Sequence, residues 1–266
     1  MTIPEGVKET PMLRQYAKWK RAYPDCLLFF RMGDFYELFF DDARKASRIL
    51  DIALTSRDPN REIPMAGVPW HSAESYIARL VQKGHKVAIC EQVNEPDGRN
   101  LVDREVIRVI TPGTFVPSDS PVEGRLAAFT VSGDDACIAL LSSGTGRIEA
   151  GSLPREQAMA ELAAFDPMEL LVPRNMPPSE KSALRQAFRA SLVEADPDAF
   201  EPTEASRRLC EAWKVATLEG FGLEKGSPVC GCAWVVFDYL SQTQFGAAGH
   251  VRRIFPLRGG AYLYMD

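Results

Sequence analysis

No Gly-Lys dipeptide occurs anywhere in the 266 residues. A phosphate-binding Gly-x-x-x-x-Gly-Lys-Ser/Thr loop is therefore absent, which excludes a nucleotide hydrolase of that class. Histidine is scarce: His71, His85 and His250 are the three. No two have metal-ligand spacing. His71 and His85 stand by a predicted helix start and just past a helix end, where surface or capping roles account for them. There is no apolar run long enough to span a bilayer, and the polar start Met-Thr-Ile-Pro-Glu-Gly is not a signal peptide. The expected location is cytoplasmic, with no membrane partner. The six cysteines are not expected to form a disulfide framework in a chain of this size without a secretion signal. The close pair Cys230-Gly231-Cys232 has one residue between its thiols and no histidine near it, so a structural role is expected rather than zinc. A strong excess of positive charge is missing too. Residues 1–116 carry 17 Lys+Arg against 16 Asp+Glu, a net +1, and residues 117–266 carry 14 against 20, a net −6. Neither half is the basic surface of a protein that coats nucleic acid.

What is present is ordinary globular material: 45% hydrophobic and 25% charged residues. A single core rarely grows past about 250 residues, so the length predicts two domains. Residues 1–9 read as disordered. Thr10-Pro11 starts a helix, with threonine as N-cap and proline at the first helical position. Strands over 26–31 and 35–40, a helix opening at Asp41-Asp42, a short strand at 53–56, a helix over 72–83 closed by Gly84, and strands over 86–91 and 104–111 follow. Residues 57–62 and 94–101 read as polar loops. The segment 63–69 is apolar but broken by Pro64, Gly67 and Pro69, which predicts a rigid turn rather than a central strand. The Pro/Gly/Ser-rich run from 111 to 121 marks a boundary. The domains are expected at 1–116 and 125–266, with 117–124 as linker. The second opens with three strands (126–132, 136–142, 146–152), then alternates helix and strand: 154–165, 169–172, 179–190, 191–194. Helices at about 203–218 and 229–245 and a strand at 261–266 complete it. The β-β-β-α-β-α-β order is that of ribonuclease H-like domains.

The richest stretch runs from Cys26 to Asp42 and holds five of the fourteen phenylalanines. It reads as two strands broken at Met32-Gly33-Asp34. By alternation, Phe35, Glu37 and Phe39 share one face, and Tyr36, Leu38 and Phe40 the other. A carboxylate two residues from an aromatic ring, beside a glycine turn, is a poor core feature. It does set a flat ring next to a hydrogen-bonding group. From the residues alone Phe35 still reads as core, Met32 and Met65 as packing residues, and Arg57 and Arg61 as solvated loop charges.

The first half resembles the mismatch-recognition domain of the MutS DNA mismatch-repair family. The resemblance rests on Thr10-Pro11-Met12, the run from Phe30 to Phe39, Ala53-Leu54-Thr55-Ser56-Arg57, Ile63-Pro64-Met65-Ala66-Gly67-Val68-Pro69, Val87-Ala88-Ile89-Cys90-Glu91-Gln92 and Val109-Ile110-Thr111-Pro112-Gly113-Thr114. These motifs stand in family order over nearly all of 9–116. The second half resembles that family's connector domain, chiefly through Gly220-Phe221-Gly222 and Cys230-Gly231-Cys232 ahead of a long helix. The implied fold is an N-terminal mixed-sheet α/β mismatch-recognition domain followed by a ribonuclease H-like connector domain. The implied partner is mismatched double-stranded DNA. Phe35 is then the ring that wedges into the minor groove and stacks on a mispaired base, and Glu37 hydrogen-bonds that base. Met32, Asp34, Arg57, Met65 and Gly67 align with positions that approach the DNA, and Arg57 and Arg61 are placed to meet phosphates. The resemblance also implies a longer protein with an ATPase, ATP and Mg²⁺ as cofactors there, homodimerisation, and a MutL-type partner for the connector. This chain is expected to be a two-domain piece, non-enzymatic, without cofactor or metal and monomeric.

Two other classes compete. One is a protein-interaction fragment whose useful surface is the acidic connector. The other is a metal-dependent nuclease. Its metal would need carboxylates gathered on strands, yet strand 126–132 carries none, and Asp134 and Asp135 fall at a hairpin tip where turn preference explains them.

Overall fold

The computed structural model describes residues 10–58, 60, 62–94, 102–116, 124–244, 249, 251 and 253–257. The expectations for residues 1–9, Arg61, 95–101, 117–123, His250 and 261–266 lie outside the described residues. The chain divides into two compact units, Met1–Pro112 and Gly113–Asp266.

The first unit begins with helix α1 (Pro11–Ala22), whose N-cap Thr10 accepts the Leu13 N–H at 3.3 Å. Strand β1 (Cys26–Met32), strand β2 (Phe35–Phe39), helix α2 (Phe40–Leu50), strand β3 (Thr55–Ser56), strand β4 (Pro64–Pro69), helix α3 (Ala73–Gln82), strand β5 (Lys86–Gln92) and strand β6 (Arg104–Ile110) follow. They form a mixed six-stranded sheet in the order β3-β4-β2-β1-β5-β6. Only the β1–β5 pair is parallel. Cys26 to Phe30 are all buried, odd and even positions alike. A run apolar on both faces is what a strand covered from both sides requires. On one side Leu13 and Tyr16 of α1 pack against Leu28, Phe30 and Phe39. The alternate positions Leu27, Phe29, Tyr36 and Leu38 are buried as well.

Two expectations are corrected here. Residues 63–69 are not a rigid turn: Pro64–Pro69 is β4, an internal strand paired antiparallel with β2 and β3. A proline weakens a ladder through its missing N–H. Both prolines sit at the strand ends, and Met65-Ala66-Gly67-Val68 keep theirs. The second correction concerns Phe40, expected on the face of Tyr36 and Leu38. The alternation stops at Phe39. Phe40 enters the left-handed region at φ 55° and opens α2, so its ring joins the Tyr16–Phe39 cluster instead.

The second unit holds strand β7 (Arg125–Ser132), strand β8 (Asp135–Ser142), strand β9 (Arg147–Pro154), helix α4 (Arg155–Phe165), strand β10 (Glu169–Pro173), helix α5 (Pro178–Ala187), strand β11 (Ser191–Ala195), helix α6 (Pro202–Trp213), helix α7 (Val229–Thr243) and strand β12 (Arg253–Pro256). The sheet order is β11-β10-β7-β8-β9-β12. An antiparallel β7–β8–β9 meander is extended by parallel β10 and β11 on one edge and parallel β12 on the other. The first five strands have the ribonuclease H-like order that the sequence predicts. The edge strand β12 has no counterpart in that prediction. Its run Arg253-Ile254-Phe255-Pro256 is four residues long and ends in proline, too short to show a period.

Helix α7 is the spine of this unit's core, with Val229, Cys230, Cys232, Ala233, Val236 and Leu240 buried. A Cβ at Gly231 would collide with the Phe200 carbonyl, so glycine lets α7 approach that backbone. Both neighbouring cysteines are free and buried. The Cys232 thiol donates to the Cys137 carbonyl at 3.2 Å. Glu169, fully buried, accepts from the Gly113 N–H and the Tyr239 hydroxyl, each at 3.0 Å.

Candidate nucleic-acid interface

The β1–β2 hairpin turns through Gly33, at φ 57°, a conformation that glycine reaches at no steric cost. Met32 stands opposite Phe35 and Phe30 opposite Glu37. Across the other edge of β2, Phe35 faces Pro69, Glu37 faces Gly67 and Phe39 faces Met65. Residues directly opposite in an antiparallel pair share a face. Met32, Phe35, Glu37, Met65 and Gly67 therefore lie on the α1 side of the sheet.

On this face of β2, burial falls from Phe39 back to Phe35. Phe39 is 0% exposed, held edge-on by the Tyr16 ring at 5.0 Å. The Glu37 side chain is 16% exposed. Phe35 is 47% exposed. Met32 and Met65 are half-buried and pack against the Tyr16 core. Asp34 is exposed at the turn, and its carbonyl accepts the Trp70 N–H at 3.0 Å. Gly67 leaves open the space between ring and carboxylate. A Cβ there would lie 3.6 Å from Phe35 Cδ1 and 3.9 Å from Glu37 Cγ.

Arg57 is the main electrostatic neighbour. Its Nη1 lies 2.6 Å from Glu37 Oε2, and its guanidinium is 5.9 Å from the Phe39 ring centre. The loop that carries it is pinned by Asp58, which accepts from the Glu62 and Ile63 N–H groups at 3.1 and 2.7 Å and from the Ser56 hydroxyl at 2.9 Å. Arg57 is thus a built counter-ion rather than a free loop charge. Burial pushes the Glu37 carboxyl above the usual carboxylate range, against the pull of Arg57 and Arg104.

Arg104, Arg31 and Trp70 are site neighbours that sequence reasoning missed. Arg104 is buried, its guanidinium 5.0 Å from the Phe30 ring, and donates to the Arg31 and Val102 carbonyls at 2.7 Å. Arg31, on the opposite face to Glu37, lies 4.6 Å from the Trp70 ring and 3.6 Å from Glu91. Trp70 itself is 48% exposed. The alternation of β1, with Arg31 inside Phe-Phe-Arg-Met, is the signal that places a cation opposite Tyr36. Nothing in the sequence announces that Arg104 reaches under Phe30 from a strand 73 residues on from Arg31.

Among the described residues no three His, Cys, Asp or Glu gather in a way that would hold a metal ion. Among the described residues no helix is long and apolar enough to cross a membrane.

Family models for MutS domain I and MutS domain II match residues 10–119 and 124–252. The chain is 43% identical to the DNA mismatch repair protein MutS of Myxococcus xanthus, over 97% of this chain and 30% of that protein. It is 40% identical to the DNA mismatch repair protein MutS of Anaeromyxobacter sp., over 99% of this chain and 30% of that protein. The corresponding figures for Anaeromyxobacter dehalogenans are 41%, 97% and 30%. The chain thus spans about a third of the length of the curated relatives it matches. With both family domains matched in order, the chain belongs to the MutS family and carries its domains I and II.

Proposed function

We propose that the first unit detects mispaired bases in double-stranded DNA. Phe35 enters the minor groove and stacks on the mispaired base, and Glu37 hydrogen-bonds it. The observation that carries this reading is the exposure gradient along β2: one face runs from a locked core ring to a half-buried carboxylate to an exposed ring. Wedging a ring between base steps costs a few kcal/mol of unstacking and yields kinked DNA. A mismatched base is the easiest to unstack, and stacking on an aromatic returns about 1–3 kcal/mol whatever the base. Discrimination then comes from deformability, which suits the search for errors with no common sequence. Met32, Met65 and Asp34 shape the approach, and the open space over Gly67 admits the groove wall.

In the longer protein, the second unit passes this signal to an ATPase that uses ATP and Mg²⁺, within a homodimer, and offers its surface to a MutL-type partner. The 266 residues hold no Gly-x-x-x-x-Gly-Lys-Ser/Thr loop with which to cradle a nucleotide phosphate. The test is the affinity of the chain for one short duplex with and without a G·T mismatch. We expect the mismatched duplex to bind more tightly and Phe35→Ala to remove about 10- to 100-fold of that affinity. Equal binding of both duplexes, unchanged by Phe35→Ala, would support instead a protein-interaction role for the acidic second unit.

A further inference from the structure

The face of the sheet away from Phe35 and Glu37 carries a second cluster. Tyr36, Arg31 and Glu91 stand in one row across β2, β1 and β5. The Tyr36 hydroxyl donates to Glu91 Oε1, and Arg31 Nη1 lies 3.6 Å from the same oxygen. The guanidinium is 4.6 Å from the Trp70 ring centre and 5.6 Å from that of Tyr36. Its Nε donates to the Gly33 carbonyl at 2.5 Å. The next carbonyl, that of Asp34, accepts the Trp70 backbone N–H at 3.0 Å. At the root of the hairpin, Arg104 Nε donates to the Arg31 carbonyl at 2.7 Å. Both carbonyls of the turn that leads into Phe35 are thus held from behind, by donors outside the turn itself.

We propose that Arg31 is a positioning residue for the Phe35 ring: from the back of the sheet it braces the Gly33-Asp34 turn, so that the ring is already set for insertion before DNA arrives. This rests on the reading that Phe35 is the wedge. A turn through glycine has no conformational preference strong enough to fix the residue that follows it, and any ordering left until binding is subtracted from the affinity. Only a planar guanidinium can stack on the Trp70 ring, face the Glu91 carboxylate and donate to the Gly33 carbonyl together; a lysine ammonium is a point charge on a flexible stem. Arg31 is itself poorly placed for a phosphate. Its side chain is 16% exposed and paired with Glu91, on the face opposite the wedge. Its contribution therefore passes through Phe35.

Two measurements on the whole chain test it. The first is backbone ¹⁵N relaxation of the DNA-free wild type, Arg31→Gln and Arg31→Lys. Order parameters at Gly33, Asp34 and Phe35 should fall in both variants from the rigid range near about 0.85 toward about 0.6, while those of β5 hold. Unchanged values at the turn overturn the brace. The second is a double-mutant cycle with Phe35→Ala, read as affinity for one short duplex with and without a G·T mismatch. Arg31→Gln and Arg31→Lys should each weaken mismatch binding about 3- to 10-fold and leave the matched duplex unchanged. Neither should cause a further loss once Phe35 is alanine. A loss on both duplexes that persists in Phe35→Ala would make Arg31 a phosphate contact and overturn the proposal. Full mismatch affinity in Arg31→Lys would overturn it too, since charge alone would then suffice. A wild type that binds both duplexes equally removes the wedge reading instead, and the relaxation result still judges the brace, so the two failures are distinct.

Discussion

Phe35 and Phe39 stand two residues apart on one face of one strand and do opposite work. Phe39 is fully buried beneath Tyr16; truncating such a ring costs about 3–5 kcal/mol. Phe35 is half exposed, and surface changes stay within about 0.5 kcal/mol. Urea unfolding should therefore show Phe39→Ala strongly destabilised and Phe35→Ala near wild type, with the loss for Phe35→Ala confined to DNA binding. Glu37 makes a second prediction at this scale. Its carboxyl sits above its usual value of 4.5 in the folded chain, so the folded state holds the proton more tightly than the unfolded one. Stability from this group is then present at low pH and falls as pH rises through the window above 4.5. Glu37→Gln should be at least as stable as wild type at pH 7, and its advantage should vanish on acidification. A thermal melt series across pH would show the reverse trend if Arg57 outweighed burial.

At the scale of elements, the first unit is tied together by one buried carboxylate. Asp42, in the first turn of α2, accepts from Lys20 Nζ of α1 at 2.9 Å and from the Tyr16 hydroxyl and Leu28 N–H at 3.1 Å each. Lys20 also donates to the Pro24 and Cys26 carbonyls at 3.1 and 2.6 Å. One cluster thus fixes α1, the entry to β1 and the start of α2. Removing one partner of such a buried pair leaves an unmatched charge and costs about 3–5 kcal/mol. Asp42→Ala should lose that much in chemical denaturation. Lys20→Met and Asp42→Ala together should be less damaging than the sum of the single changes. In β4 the informative change is Gly67→Ala. Its new methyl would be in ordinary van der Waals contact with Phe35 and Glu37, so the melting temperature should hold while mismatch affinity drops.

Over the whole molecule, charge sets the manner of binding. The first half, with 17 Lys+Arg against 16 Asp+Glu, offers a duplex little net positive charge. Each phosphate neutralised contributes about −0.9 to the slope of log K against log salt. We expect a slope of magnitude below about 4, corresponding to a handful of contacts that include Arg57. A steep slope would show that broad phosphate binding, rather than the wedge, supplies the affinity of this chain. Shape, stacking and the remainder of a longer protein would then matter less than the site suggests.

Much of this was legible in the sequence for identifiable reasons. Proline and glycine punctuation, the Thr10 cap and two-residue periodicity are local properties, and they determine where most helices and strands fall. The motif order from Thr10 to Thr114 determines the family resemblance. Alternation alone places Phe35 and Glu37 on one face. Tertiary structure decided the rest, because it depends on what comes to lie opposite. Residues 63–69 become a strand since β2 and β3 stand ready to pair with both edges of their interior. Phe40 changes side since helix α2 must start there. The exposure of Phe35 depends on what else comes to cover its face of the sheet, and no feature of residues 26–42 encodes that. Arg57 reaches Glu37 from a loop twenty residues away, folded back by Asp58. The sequence by itself determined the ring and the carboxylate; only the fold gave that carboxylate a counter-ion and left the ring uncovered.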